Sequence, residues 1–177
     1  MNSSATPNSA EQTPPAGRYH LDPTRTAVRL RTRHLFGLGG VSGTVTLREA
    51  ELIIGEPITA TTLRAVLDAA SFDTGNPKRD ADVHSAKYLD AATYPDISFT
   101  GQGVSQQNGK WVVAGTLTAH GVTAPVDLTV DELDVANAGV LRLRATAKVD
   151  RYAHQITAGK GMAARWLTVE IAAVTVP

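Results

Sequence analysis

Five histidines, His20, His34, His84, His120 and His154, are the side chains of this sequence best suited to hold a metal or move a proton. Their spacing supports neither use. No two form HExxH or a close zinc-ligand pair, so no metal and no cofactor is expected. The one local grouping is Arg79-Asp80-Ala81-Asp82-Val83-His84. On a helix, Asp80 and His84 share a face, as a local salt bridge or as part of a ligand set. An enzyme built on this grouping would be a hydrolase or isomerase using Asp80, Asp82 and His84 on a small apolar substrate. Ser85 follows His84, but there is no GxSxG elbow to make it a nucleophile. The turns Gly37-x-Gly39-Gly40 and Gly159-Lys160-Gly161 lack the Gly-Lys-Ser/Thr of a phosphate loop. With no cysteine there is no thiolate chemistry and no disulfide framework. These readings predict a protein that is not an enzyme, with no catalytic residue.

The acidic grouping lies within one stretch, Ser71 to Phe99, between two segments that read as strands. Connections of this length are uncommon in compact domains and often act as lids. The flanking sequence alternates with period two, the mark of half-buried strands. In Ala27–His34, Val28, Leu30, Thr32 and His34 face one way and three arginines the other. Val41, Gly43, Val45 and Leu47 share a face, as do Leu63, Ala65 and Leu67. After the long stretch come Ile97, Phe99 and Gly101. Asn108-Gly109 then predicts a tight hairpin, since both residues tolerate positive φ. Trp111, Val113, Gly115, Leu117 and Ala119 return on one face. Val126, Leu128 and Val130 follow, then Leu141, Leu143, Ala145, Ala147 and Val149, and finally Leu167, Val169 and Ile171. Roughly eight antiparallel strands can close into a barrel, which removes the sheet edges and leaves room for side chains or one small ligand. Many inward positions are small: Gly43, Ala65, Gly101, Gly115, Ala119, Ala145 and Ala147. They leave either a cavity or the tight crossings of a tapered barrel.

The 177 residues suit one domain with a proper core. Seventeen basic and seventeen acidic residues cancel, so no global field draws nucleic acid or an anionic membrane, although a local patch can. No run reaches the roughly 18 apolar residues of a membrane span, so no stable insertion is expected. Residues 1–17 are polar and rich in Ser, Thr, Asn and Pro, and read as a disordered tail before a domain over 18–177. They lack the basic and apolar regions of a secretory signal, which, with no cysteine, predicts a cytoplasmic protein. A homodimer stays open, since exposed faces rich in Arg and Thr offer no obvious large apolar patch for obligate pairing.

Several motifs in order resemble the YceI-like family of polyisoprenoid-binding or lipid-binding lipocalin-like proteins, over about residues 18–176. They are Tyr19-His20-Leu21-Asp22-Pro23 and the Arg33-His34 pair; Ser71-Phe72-Asp73-Thr74-Gly75-Asn76; Arg79-Asp80-Ala81-Asp82-Val83; and Tyr94-Pro95-Asp96-Ile97-Ser98-Phe99. Gly115-Thr116-Leu117-Thr118, with Gly121-Val122-Thr123 and Pro125-Val126 beyond it, and Asp150-Arg151 complete the series. Two positions depart from the family pattern: Arg25 stands where His is common, and His154-Gln155 where an aromatic-Gly pair is usual.

The resemblance implies an all-β, antiparallel lipocalin-like barrel around a long apolar tunnel, with Ser71–Phe99 as a helical or irregular cap. It implies an amphipathic ligand with an isoprenoid or fatty chain, held for storage, transport or sequestration. Inward parity then nominates Leu30, His34, Val45, Leu67, Phe99 and Trp111 as tunnel residues, with Leu117, Leu128, Leu143 and Leu167 on later strands. Phe72, Val83 and Tyr88 would face the tunnel from the cap. His34 is a head-group anchor or a satisfied core histidine. Lys78, Arg79 and Lys160 are candidate head-group contacts or solvated loop charges. Trp111 and Phe99 read as wall or core residues rather than platforms for nucleic acid. A third reading, a structural or stress-response partner protein, would fill the barrel with its own side chains.

Overall fold

The alternation written into the sequence becomes a ladder of antiparallel strands in the computed structural model, which describes residues 13–34 and 39–176, the side chains of His34 and Ala138 excepted. Of the expected tail, residues 1–12 lie outside the described residues. Thr13 to Ala16 are irregular, with the Tyr19 hydroxyl donating to the Pro15 carbonyl oxygen. The strands are β1 (Gly17–Leu21), β2 (Ala27–His34), β3 (Gly39–Ile54), β4 (Thr62–Asp73), β5 (Asp96–Gln107), β6 (Lys110–Ala119), β7 (Val122–Pro125), β8 (Leu128–Val135), β9 (Leu141–Asp150) and β10 (Trp166–Val176). One helix, α1 (Pro77–His84), lies between β4 and β5.

Eight strands close a ring in the order β10-β2-β3-β4-β5-β6-β8-β9, and β9 pairs back to β10 over Trp166↔Asp150 to Val174↔Arg142. The eightfold ring expected from the sequence is therefore present, but ten segments build it. β1 and β2 run one after the other between β10 and β3, interrupted where Asp22 accepts from the Thr24 amide and Pro23 cannot donate to the ladder. β7 and β8 do the same beside β6, parted near Pro125.

Asn108 and Gly109, at φ 50° and 74°, make the β5–β6 turn as their types predict. β3 is longer than alternation alone suggests, because its parity changes. A bulge between Leu47 and Glu49 resets the face, so Leu47 and Ala50 are both buried. A larger slip in the β3–β4 ladder decides where the cap begins. Thr44 pairs with Asp73 and Thr46 with Asp68, so residues 69–72 bulge from the ladder. The Ser71 hydroxyl supports the bulge, donating to the Asp68 carbonyl oxygen and accepting from the Thr46 amide. The bulge swings Phe72 inward until its ring tip lies 3.1 Å from where a Cβ on Gly43 would stand.

The packed core sits on the β5-β6-β8-β9 side: Phe99, Val104, Val113, Val126, Leu128, Ala145, Ala147 and Val149. The small inward residues divide between the two readings of them. Gly101 and Gly115 face each other across β5–β6, and the Phe99 ring comes within 2.4 Å of where a Gly115 Cβ would be. Those glycines make room for a neighbour's ring. Ala65 and Ala119 instead line open space, and Ala147 borders it from the core.

Candidate functional site

Inside the ring is a cavity of about 570 Å³. Its wall runs from Leu21, Thr26 and Leu52 beside β1 to Phe72, Val83, Tyr88 and Leu89 beneath the cap. The lining is overwhelmingly apolar. Its charged groups, Arg33, Arg79, Asp82 and Arg151, gather toward the cap with His154, while Thr32 lies on β2 and Thr26 at the other end. Thr26 Oγ1 is buried and makes no hydrogen bond.

The cap is held by its polar residues and faces the cavity with its apolar ones. Asn76 caps α1 by accepting from the Arg79 amide. Asp80 accepts from both the amide and the hydroxyl of Thr74, at 3.0 and 2.7 Å. The Thr74 hydroxyl bond holds the Asp80 carboxyl below its ordinary pKa. His84 Nε2 donates to the Phe72 carbonyl oxygen at 2.9 Å, with the two rings edge to face. The Asp80–His84 grouping, read from sequence as a salt bridge or ligand set, thus pins the helix to the end of β4. The far end of the cap is pinned by Tyr94, whose ring packs edge to face on His120.

A second cover comes from the β9–β10 connection. Asp150 accepts from the Tyr152 amide and takes a bidentate pair from Arg165 at 2.8 and 2.6 Å. The Arg165 bond holds the Asp150 carboxyl below its ordinary range and pushes the Arg165 guanidinium up. Arg151, only 5% exposed, turns inward, with no carboxylate partner among the described residues. It donates to four carbonyl oxygens, of Ile156, Ala158, Ala163 and Ala164, at 2.7–3.0 Å. One guanidinium therefore shapes the whole 156–164 loop, and its charge is met by carbonyl dipoles. His154 is buried next to it, with Nε2 2.9 Å from the Leu117 carbonyl oxygen. Gln155 takes the left-handed conformation, φ 58°. The departure from the usual glycine changes the residue while the backbone keeps a shape glycine adopts readily. The two covers meet where the Tyr88 hydroxyl stands 2.6 Å from a would-be Cβ of Gly159, itself at φ 66°.

Of the residues nominated from sequence, Leu30, Val45, Leu67, Phe99, Leu117, Leu128, Leu143 and Leu167 line the cavity from the strands. Phe72, Val83 and Tyr88 line it from the cap, and Arg79 lines it near the mouth. Trp111 does not: it packs against the core cluster instead. Lys78 is exposed on the first turn of α1, and Lys160 lies over the Tyr152 ring, its Nζ 5.1 Å from the centroid. The side chain of His34 lies outside the described residues. Sequence reasoning missed Arg151, His154, Met162 and Ala163 as lining residues. The Asp150-Arg151 motif, His154-Gln155 and Lys160 drew attention to that region, but burial of an arginine is not legible from its neighbours.

An eight-stranded antiparallel ring with an apolar interior and a capped mouth defines a lipocalin-like barrel. Residues 19–175 match the family model of the YceI-like domain, and the chain belongs to that family. A UPF0312 protein of Photorhabdus laumondii is 36% identical over 69 residues, which is 39% of this chain and 36% of that protein. Protein YceI of Escherichia coli O157:H7 is 35% identical over 66 residues, 37% of this chain and 35% of the other. The match thus spans about a third of the length of these curated relatives. Among solved structures, Burkholderia cenocepacia BcnA superposes with a TM-score of 0.75 at 20% identity, over 88% of this chain and 99% of BcnA. A polyisoprenoid-binding domain from Saccharophagus degradans gives 0.61 at 17%, over 89% and 97%. These likenesses show the same fold. No helix among the described residues is long and apolar enough to cross a membrane.

Proposed function

We propose that this protein binds an amphipathic lipid, with an isoprenoid or fatty chain along the barrel axis and its head at the mouth, for storage, transport or sequestration. The observation that carries the reading is the cavity: about 570 Å³, apolar almost throughout, with its charged groups gathered at the capped end. That volume lies within the range of ligand sites, roughly 300–1,000 Å³. It favours this reading over a barrel filled by its own side chains. The Saccharophagus degradans domain of the same fold is described as polyisoprenoid-binding.

Transfer energetics suffice without a catalytic group. Each buried CH₂ contributes about 0.8 kcal/mol, so ten carbons contribute about 8. Association and ordering offset a comparable amount. Longer chains then reach micromolar affinity, about −8 kcal/mol. Of the head-group candidates, Arg79 is the one on the cavity wall, with Arg151 also lining it and Asp82 on the same helix as Arg79. Asp80 and His84 serve as cap anchors, which supports a binder rather than a hydrolase or isomerase. The reading needs neither nucleic acid nor a second copy of the chain. A cysteine-free composition supports a reducing compartment such as the cytoplasm.

Native mass spectrometry of gently purified protein tests the proposal. A co-purified lipid, or uptake of an isoprenoid alcohol or fatty acid, is expected. Ala65→Phe and Ala147→Phe, made separately, should each shorten the longest chain accepted. A ligand-free protein that takes up neither class overturns the reading.

A further inference from the structure

Met162 and Trp166, 56% and 54% exposed, are the most exposed large apolar side chains among the described residues. They flank the point where the loop over the mouth enters β10. Met162 also lines the cavity, so the apolar lining reaches the surface there. Cations surround the pair. Arg165 lies over both the Tyr152 and Trp166 rings, at 5.2 and 5.5 Å from the centroids, and Lys160 lies over Tyr152. On the outer sheet face, Arg29, Arg31 and Arg33 of β2 line one shallow depression with Trp166 and Thr168. Lys148 is in register with Thr168 on the other side.

The nearby carboxylates are largely spoken for. Glu170 pairs with Arg31 and Asp150 with Arg165; Asp73 lines the same depression and keeps its charge while accepting from the Gly75 amide, and Asp82 faces the cavity, so Arg29, Arg31, Arg33, Lys148, Lys160 and Arg165 still outnumber Glu170, Asp150 and Asp73. Among the described residues no carboxylate lies within salt-bridge distance of Arg29, Lys148 or Lys160. A chain with balanced total charge therefore carries a local basic face, centred on two exposed apolar side chains at the mouth of an apolar cavity.

We propose that this face docks on an anionic phospholipid bilayer, with Trp166 and Met162 at the headgroup level and the surrounding cations against the lipid phosphates. Tryptophan favours that depth because its ring is apolar and its N–H is polar. Basic side chains near an anionic leaflet add to the attraction, and the attraction fades with salt. Two apolar side chains ringed by lysine and arginine are too little for a stable pairing of two copies, which needs roughly 800 Å² on each partner. Because Met162 belongs to both the patch and the cavity wall, a lipid can pass between bilayer and barrel without crossing bulk water. The proposal stands on the outer surface and does not depend on which lipid fills the cavity.

The test uses the full chain carrying Trp111→Phe, so that Trp166 is the sole tryptophan. Vesicles of phosphatidylglycerol with phosphatidylcholine should shift its emission to the blue, and brominated acyl chains should quench it. Phosphatidylcholine alone should do neither. Trp166→Ser, or Lys148→Glu with Lys160→Glu, each in the natural chain, should weaken sedimentation with anionic vesicles roughly tenfold, as should raised salt. Lys110→Glu, at the hairpin on the opposite end, should change nothing. Uptake of a fluorescent fatty acid from solution should be the same in Trp166→Ser as in the parent. Unchanged emission, equal binding to both vesicle types, or equal loss on Lys110→Glu overturns the proposal. So does loss of fatty-acid uptake in Trp166→Ser. A protein that fails to take up fatty acid yet still docks on anionic vesicles would sink the cavity reading and leave this one standing.

Discussion

At one end of the barrel the chain returns through short segments: residues 55–61, Asn108-Gly109 and 136–140. At the other, beside the tight turn His120-Gly121, it returns through residues 74–95 and 151–165, each long enough to build a cover. The short end is closed by backbone and small side chains. Leu141 is fully buried there, and its amide donates to Thr175 Oγ1 at 2.9 Å, while the Gly55 amide donates to Thr61 Oγ1 at 3.1 Å. The long end is held by charged groups: Asp80 on Thr74, Asp150 on Arg165, and Arg151 on four carbonyls. An end that only has to be shut can be shut by local geometry. On the proposed reading the other end admits a ligand, and covers held by a few directional bonds can be released there without unfolding strands.

The largest test of this contrast is Arg151→Met. It strips four carbonyls of their donor and should cost about 4 kcal/mol in urea unfolding. Hydrogen exchange should rise first in 156–164, and lipid affinity should fall with it. Exchange rising equally in the β5–β6 hairpin would mean that the two ends open as one. Thr175→Val at the short end leaves the buried Leu141 amide without an acceptor and should cost about 1–3 kcal/mol. That loss should appear in global stability, with ligand uptake unchanged. A fall in uptake would show that the short end also governs entry.

Acid gives the smallest effect and sharpens the same contrast. Asp80 and Asp150 have folded pKa values below their ordinary ones, so the unfolded chain binds protons that the folded one does not. Their contribution is complete above about pH 4 and is lost as pH falls through the lower folded values. Exchange should therefore quicken in the cap and in 151–165 before the β5–β6 hairpin responds. Asp22, lowered by its bond from Thr24, carries the same sign within the β1–β2 interruption. A transition beginning at the hairpin would contradict the assignment of these carboxylates to the covers.

Much of the wall was legible because period-two alternation reports the inner face directly, as with Leu30, Leu117, Leu128 and Leu143. The cap residues were legible because an over-long connection with one polar and one apolar set has few other uses. Trp111 stands off the cavity for a geometric reason: inward parity says which face a side chain takes, not how far along the strand the cavity reaches, and Trp111 lies at the hairpin end of β6. The bulge at residues 69–72 and the reset after Leu47 were invisible because each breaks the alternation that reveals strands. The basic face around Trp166 was hidden in a balanced total charge.

By itself the sequence determined the strands, the hairpin at Asn108-Gly109, the ring they can close and the cap between β4 and β5. Those are local matters of side-chain periodicity, turn conformation and connection length. Only the tertiary structure decided that Phe99 fills the space left by Gly101 and Gly115 while Ala65 and Ala119 leave theirs open. It also decided that Arg151 is a buried clamp rather than a surface charge, and that Met162 and Trp166 stand together at the mouth. Burial and proximity depend on which distant segments the closed ring brings together, and no pattern within one segment carries that information.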